Sequence, residues 1–322
     1  MRQLSPRFLS DLKNPDGVLW PVLDRVKHDH TLMLAIREDY INVYYRGGNL
    51  LRIKERRSGG YTAFFDKKYN EGRVSLPDCP TTISSQSEAR KRVQSFPQYK
   101  EAMDLYFSAH NKPEREFQQL VARENNFSTI SNESEYFILD IEFAEPGFKD
   151  GGRFDMLAIR WLACERRDGS RCWPALIEMK YGDGALEGSA GLIKHLCDIQ
   201  SLVGDSNRYA RLVLGLQDRF NQLNDLGLLT FNRAKDLKVR FGPTAKPEVI
   251  MILANHNPRS TKLAAILNSP ELCQYETCGT FDLRFFAASF GGYGMHQDSI
   301  LTLHEFRQLL KNRRGGTESP GA

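Results

Sequence analysis

RFDMLAIRWLA at residues 153–163 and CWPALIEMKYG at 172–182 are two apolar runs of strand length, and their reading decides the fold. The segment between them, CERRDGSRC, carries Asp168-Gly169, a pair that favours the positive φ of a hairpin turn. Strand periodicity of two places Glu178 and Lys180 on one face, with Met179 pointing the other way into an apolar layer. Asp155 opens the preceding run, between Phe154 and Met156. If the two runs pair through the hairpin, their ends meet, and Asp155, Glu178 and Lys180 converge. Charges at the end of a buried strand are costly unless a partner or a metal compensates them.

The neighbouring sequence extends this pattern on both sides. YFILDIEFA (136–144) reads as a further strand. Before it, EREFQQLVAREN follows Lys112-Pro113, with apolar residues at 117, 120 and 121 and acidic residues in its first turn, which predicts a helix. After Gly182 the period changes: AGLIKHLCDIQSLV and LVLGLQDRFNQLNDLGLL fit helices. EVIMILANHN (248–257) and CGTFDLRFFAAS then read as strands. The predicted order is helix, three strands, helix, helix, strand, a mixed α/β (α+β) class.

The N-terminal part follows a different pattern. A short helix at Pro21–His28 precedes TLMLAIREDYINVYYRGGNLLRIK (31–54), whose alternation around Arg46-Gly47-Gly48-Asn49 predicts a small antiparallel sheet, with YTAFF (61–65) adding a strand. SLPDCPTTISSQSEARKR is rich in Ser, Thr and Pro and reads as a connection leading into helices. The boundary is placed near residue 95, giving a β-rich module at 1–95, a catalytic domain at 96–314 and an unstructured tail at 315–322.

At 322 residues, with 41% hydrophobic and 26% charged residues, the chain has apolar material for a sizeable core. A formal net charge of +4 is far from that of a purely electrostatic nucleic-acid binder. The placement of the basic residues is more informative. Arg52, Lys54, Arg56 and Arg57 cluster, as do Arg90, Lys91 and Arg92, and again Lys311, Arg313 and Arg314, each either a phosphate contact or a solvated face.

Six cysteines without a C-x-x-C pair indicate neither a zinc ribbon nor a disulfide framework and fit a reducing compartment. Cys164 and Cys172 either face each other across the hairpin or stay free. The first residues, MRQLSPRFLSDLKNPDG, have no apolar leader core, and no stretch approaches the roughly 18 apolar residues of a membrane span. A soluble, cytoplasmic protein is expected. Walker, G-x-S-x-G and H-E-x-x-H patterns are absent, which removes support for ATPase, serine hydrolase and zincin readings.

Two carboxylates and a lysine converging at a sheet edge suit phosphodiester hydrolysis. Hard oxygen ligands hold Mg²⁺ while it keeps several waters and leaves positions open for a phosphate oxygen. The metal lowers the pKa of a bound water and neutralises developing charge, and a lysine orients that water or stabilises the same charge.

FD155M followed by IE178MK180, after a helix and within three strands, resembles the PD-(D/E)xK nuclease superfamily, although Phe154 stands where the name of the pattern has Pro. The resemblance covers roughly residues 112–260, leaves the N-terminal module outside it, and implies a restriction-endonuclease-like αβββαβ core. Asp155 matches the acidic residue of the second core strand, and Glu178 and Lys180 match the E-x-K of the third. Glu116 resembles the extra acidic residue that many members supply to the metal. The resemblance implies Asp155, Glu178 and Glu116 as ligands of Mg²⁺, for which Mn²⁺ would substitute, with Lys180 beside them.

The expected activity is a metal-dependent nuclease acting on DNA, with RNA left open, in defence, restriction or repair. The alternative is a catalytically inactive nuclease fold acting as a binding module. Lys194 and His195 on the helix after the third strand are candidate phosphate contacts, and Arg56 and Arg57 are candidate nucleic-acid contacts of the N-terminal module. That module could equally bind a partner protein or a second copy of the chain. Glu142, alternating with Asp140, either supports the site or pairs with Arg153. Asn255, His256 and Asn257, and the loop holding Tyr293 and His296, either approach nucleic acid or form turns.

Overall fold

The computed structural model describes residues 3–37, 39–144, 153–188, 190–233, 237–242, 244–256, 260–288, 295, 297 and 300–314. Asn257, Tyr293, His296 and the tail 315–322 lie outside the described residues, as do the side chains of Arg313 and Arg314. Within that frame the fold is mixed α and β, built on two five-stranded sheets.

Helices α1 (Pro6–Lys13) and α2 (Trp20–His28) precede strands β1 (Leu32–Ile36), β2 (Tyr40–Tyr45), β3 (Gly48–Glu55), β4 (Tyr61–Phe64) and β5 (Thr82–Ile83). These strands form an antiparallel sheet in chain order. Helix α1, not foreseen from the sequence, starts where the Ser5 hydroxyl accepts from the Phe8 amide and Pro6 presets the first turn. Between β2 and β3, Arg46 and Gly47 both take positive φ, 49° and 71°, as a two-residue hairpin turn requires.

The helices α3 (Gln86–Gln94) and α4 (Phe96–Ala109) follow. A capping box between Ser85 and Glu88 starts α3. Helix α4 presses on the start of β3 so closely that a Cβ on Gly48 would come within 2.6 Å of the Met103 side chain. Helix α3 packs on α2 and β5, and α4, which ends at Ala109, packs on β3. The Ser/Thr/Pro stretch is a connection inside that layer.

Helix α5 (Pro113–Phe127) leads into β6 (Tyr136–Ala144), β7 (Arg153–Arg160) and β8 (Trp173–Tyr181), then α6 (Leu192–Gly204), α7 (Ser206–Asp225) and β9 (Glu248–Ala254). Helices α8 (Thr261–Leu267) and α9 (Pro270–Cys273), strand β10 (Asp282–Ala288) and helix α10 (Leu303–Arg314) complete the described chain. The second sheet has the order β10-β9-β8-β7-β6. Its β6-β7-β8 part is antiparallel, and β8, β9 and β10 run parallel. A parallel β8–β9 pair needs a crossover, which α6 and α7 supply. Strand β9 is buried along its whole length, as a continuous apolar run covered on both faces must be.

Core packing joins the two sheets. One apolar cluster runs from Leu4 and Phe8 through Leu157 and Leu176 to Phe306, and the other, on the opposite face of the second sheet, joins Met33 and Tyr44 to Val121, Ile177 and Met179. The β2–β3 turn rests on α5: a Cβ on Gly47 would lie 2.4 Å from the Arg115 backbone, and the Gly47 amide donates to Gln119 Oε1 at 2.7 Å. Deeper in, Asp140 of β6 lies between Arg37 Nη1 at 2.8 Å and Arg219 Nη1 at 3.5 Å. Arg37, which follows β1, also donates to the Ile141 carbonyl at 2.6 Å. All six cysteines, Cys164 and Cys172 included, are free. Among the described residues no helix is long and apolar enough to cross a membrane.

Candidate active site

Strands β7 and β8 pair from Arg160↔Trp173 to Met156↔Ile177, where their ladder stops. Asp155 comes next, and its carboxylate takes over from the backbone: Oδ2 accepts from the Met179 amide at 2.7 Å. That bond satisfies a donor the ladder has released and holds Asp155 over β8. Alternation then carries Leu176, Glu178 and Lys180 to one face, while Ile177 and Met179 enter the core on the α5 side. Glu178 and Lys180 are almost wholly buried. Lys180 Nζ lies 3.9 Å from Glu178 Oε2.

His195 joins them from α6, with Nδ1 3.0 Å from Glu178 Oε2. It shares the helix stripe of Leu192 and Ile199, three and four residues away, which faces the sheet. Lys194, one position along, points away and pairs with Asp198 at the solvent face. The two residues expected together as phosphate contacts are thus separated, with only His195 in the site.

Glu116 also lies elsewhere. Its carboxylate forms a two-pronged ion pair with Arg46, Nε to Oε1 at 3.0 Å and Nη2 to Oε2 at 3.2 Å, at the hairpin of the first sheet. Glu114, two residues earlier and about 200° around the helix, enters the cleft instead. The signal for Glu114 was present in the sequence, because it lies three and seven residues before the buried Phe117 and Val121 and so continues the inward stripe. Acidity in the first turn alone does not distinguish the two faces.

Glu114, Asp155, Glu178, Lys180 and His195 line one open cleft of about 600 Å³, with Arg115 and Arg153 also on its walls. Glu142 faces it too, with φ of 49°, paired to Arg115 Nη2 at 2.9 Å and not to Arg153. Arg56 and Arg57 belong to the turn between β3 and β4 and do not line the cleft. Nearby, Arg52 lies over the Tyr40 ring and Lys54 pairs with Asp39. Asn255 reaches the Tyr181 hydroxyl from its side-chain amide at 3.3 Å. The His256 ring lies edge-on to Phe306, with centroids 6.5 Å apart.

The electrostatics of the cleft are those of uncompensated negative charge. Burial, reinforced by the Glu178 charge, pushes the Asp155 carboxyl up to about 8. Burial likewise raises Glu178, against the pull of Lys180. Glu114 is raised by burial and then by Asp155. Burial, then Lys180, lowers His195. Five carboxylates and three cations line the cleft, and the buried Glu178 carboxylate has His195 Nδ1 at 3.0 Å and Lys180 Nζ at 3.9 Å from Oε2 without a hydrogen bond of good geometry to either oxygen.

Among the described residues no group of three or more His, Cys, Asp or Glu side chains is placed to hold a metal ion. Mg²⁺ does not require such a group, since it binds through one or two carboxylates and keeps waters in its remaining positions. The adjacent Asp155 and Glu178 carboxylates fit that donor set, with Glu114 on the wall of the same cleft. No family model, curated protein or solved structure matches this chain.

Proposed function

We propose that this protein is a Mg²⁺-dependent nuclease, a phosphodiesterase with DNA as the favoured substrate, working in the cleft of Asp155, Glu178 and Lys180. The observation that carries the reading is the buried Glu178 carboxylate, flanked by His195 and Lys180 yet holding no hydrogen bond of good geometry, next to Asp155 at the point where the β7–β8 ladder ends. The order α5, β6, β7, β8, α6, β9 supports a restriction-endonuclease-like core. Asp155 and Glu178 would hold the cation, with Glu114 in the part first expected of Glu116. Bound there, a divalent cation supplies an activated water and neutralises charge growing on the phosphate.

The chain's own groups do the rest. The Met179 amide fixes Asp155, so the ligand geometry is built into the strand pair and costs little to organise. Lys180, buried beside Glu178, presents a compact ammonium to orient the attacking water or to stabilise the phosphate oxygens. His195 borders the same space and offers a ring nitrogen to the scissile phosphate. Arg115 and Arg153 on the cleft walls are suited to the phosphates on either side.

The test is cleavage of single-stranded, duplex and structured DNA and RNA by purified protein in Mg²⁺, Mn²⁺ or EDTA, beside Asp155→Ala and Lys180→Ala. Cutting by wild type in metal alone, lost in both variants, is the expected result. Equal cutting by all three proteins removes these residues from catalysis. Binding without cutting favours a nuclease fold used only to hold nucleic acid.

A further inference from the structure

A second cavity, of about 350 Å³, lies between α2, β1, α5 and α7, separate from the cleft in every lining residue. Nine of its 17 lining residues are apolar, including Val26, Leu32, Leu34, Phe127, Leu223 and Leu228. The volume lies within the roughly 300–1,000 Å³ of small-ligand pockets. Two cations line this space, Lys27 from α2 and Arg123 from α5.

Neither cation forms a direct ion pair among the described residues, although Glu124 and Asp29 act on Arg123 and Asp24 acts on Lys27 from further away. Arg123 is half-buried and forms no ion pair or hydrogen bond among the described residues, and burial lowers its pKa. Lys27 is lowered by burial as well, and its ammonium lies 5.9 Å from the Trp20 ring centroid. The wall also holds Asp29, but that carboxylate is occupied by Lys100 Nζ at 2.6 Å and Arg25 Nη2 at 2.8 Å. Glu124 is the other acid on the wall and Asp24 acts on Lys27 from outside it, but neither forms an ion pair with the two cations; His30 is also on the wall. A desolvated guanidinium without a carboxylate is costly, and a planar oxyanion is the partner its fork best accommodates.

We propose that this cavity binds a small organic anion of about mononucleotide size, its apolar or aromatic body against the leucines and Phe127, its phosphate or carboxylate on Arg123 and Lys27. The inference does not rest on the nuclease reading. Helix α5 links the two places, since it carries Ala122 to Phe127 on the cavity wall and Glu114 and Arg115 at the cleft.

The test is calorimetric titration of the full chain with two anions, AMP and 1-naphthoate, and with their neutral counterparts adenosine and 1-naphthalenemethanol. One anion at least should bind one-to-one, and the neutral counterpart should bind about tenfold more weakly, as expected for the loss of a charge-assisted hydrogen bond. Arg123→Gln should weaken the anion by a similar factor with an unchanged circular dichroism spectrum, and Lys27→Gln should weaken it less. Lys180→Ala should bind the anion as wild type does. If neither anion binds, if Arg123→Gln and Lys27→Gln both leave affinity intact, or if Lys180→Ala abolishes binding, the assignment is overturned. The relative affinity of AMP and 1-naphthoate distinguishes a phosphate from a carboxylate ligand.

Discussion

Asp140 and Glu178 are buried equally, 0% and 1% exposed, on strands of the same sheet, yet their surroundings are opposite. Asp140 lies between the guanidinium groups of Arg37 and Arg219, themselves buried. Glu178 shares a cleft with four further carboxylates, Glu114, Glu142, Asp155 and Glu187, and three cations, Arg115, Arg153 and Lys180. At Asp140 positive charge outnumbers negative, and the joint ties together parts of the chain more than a hundred residues apart. At Glu178 negative charge outnumbers positive, beside an opening to solvent. Burial alone therefore does not mark a functional acid. The sign of the charge left over does, because an excess that the protein does not cancel is an excess that a ligand can cancel.

The strongest way to break this contrast is to remove a cleft residue and find activity intact. Lys180→Ala and Asp155→Ala should each lower metal-dependent cleavage by about 10⁴-fold, ~5.5 kcal/mol of transition-state stabilisation, while thermal melting stays close to wild type. Next in size, Asp140→Ala should destabilise the fold by about 3–5 kcal/mol in urea titration, because two arginines are left buried without their acid. An Asp140→Ala protein as stable as wild type would remove the structural role given to the joint.

The third expectation concerns pH. Folding raises Asp155 to about 8 and raises Glu178 with it, so above the unfolded values near 4 the folded chain holds the extra protons. These groups favour folding least at high pH: their penalty is absent below the unfolded values and grows as pH climbs towards the folded ones. Asp155→Asn with Glu178→Gln should therefore flatten the fall in melting temperature between pH 5 and pH 8. Mg²⁺ binds the ionised carboxylates, so its stabilisation, about 2.7 kcal/mol at a hundredfold excess over Kd, should be larger at pH 8 than at pH 6.

The smallest effect separates the two acids of α5. Glu114→Gln should weaken Mg²⁺ binding, read by calorimetry, by about tenfold, ~1.4 kcal/mol. Glu116→Gln should leave the metal alone and cost about 0.2–1 kcal/mol of stability through its exposed pair with Arg46. The reverse outcome would return the metal role to Glu116.

The sequence revealed what is written in local periods. Strands at 136–144, 153–160 and 173–181 fall where the apolar runs put them, and Arg46-Gly47 forms the expected turn. Asp155, Glu178 and Lys180 come together because alternation and one hairpin suffice to bring them there. What a local pattern does not contain is the partner across the fold. Arg37 meets Asp140 from a distant segment, and Gln119 holds the Gly47 hairpin, so the first sheet shares a core with the second in a way no composition shift announces. The bulge between Ile138 and Asp140 was equally invisible in YFILDIEFA, since an extra residue looks like any other. Glu114 and Glu116 share the first turn of α5, and only the phase of its apolar stripe separates the one that lines the cleft from the one that pairs with Arg46.

Strand β6 is the outermost strand of its sheet, and Arg37 spends one of its donors on the Ile141 carbonyl there. An open edge invites another chain to add a strand, and a buried cation placed on it blocks that addition. The first sheet therefore covers part of the β6 edge. A fragment beginning at α5 would keep every residue of the cleft but would uncover both this edge and the apolar surface that Leu4, Phe8 and Met33 now cover, and it should self-associate through them.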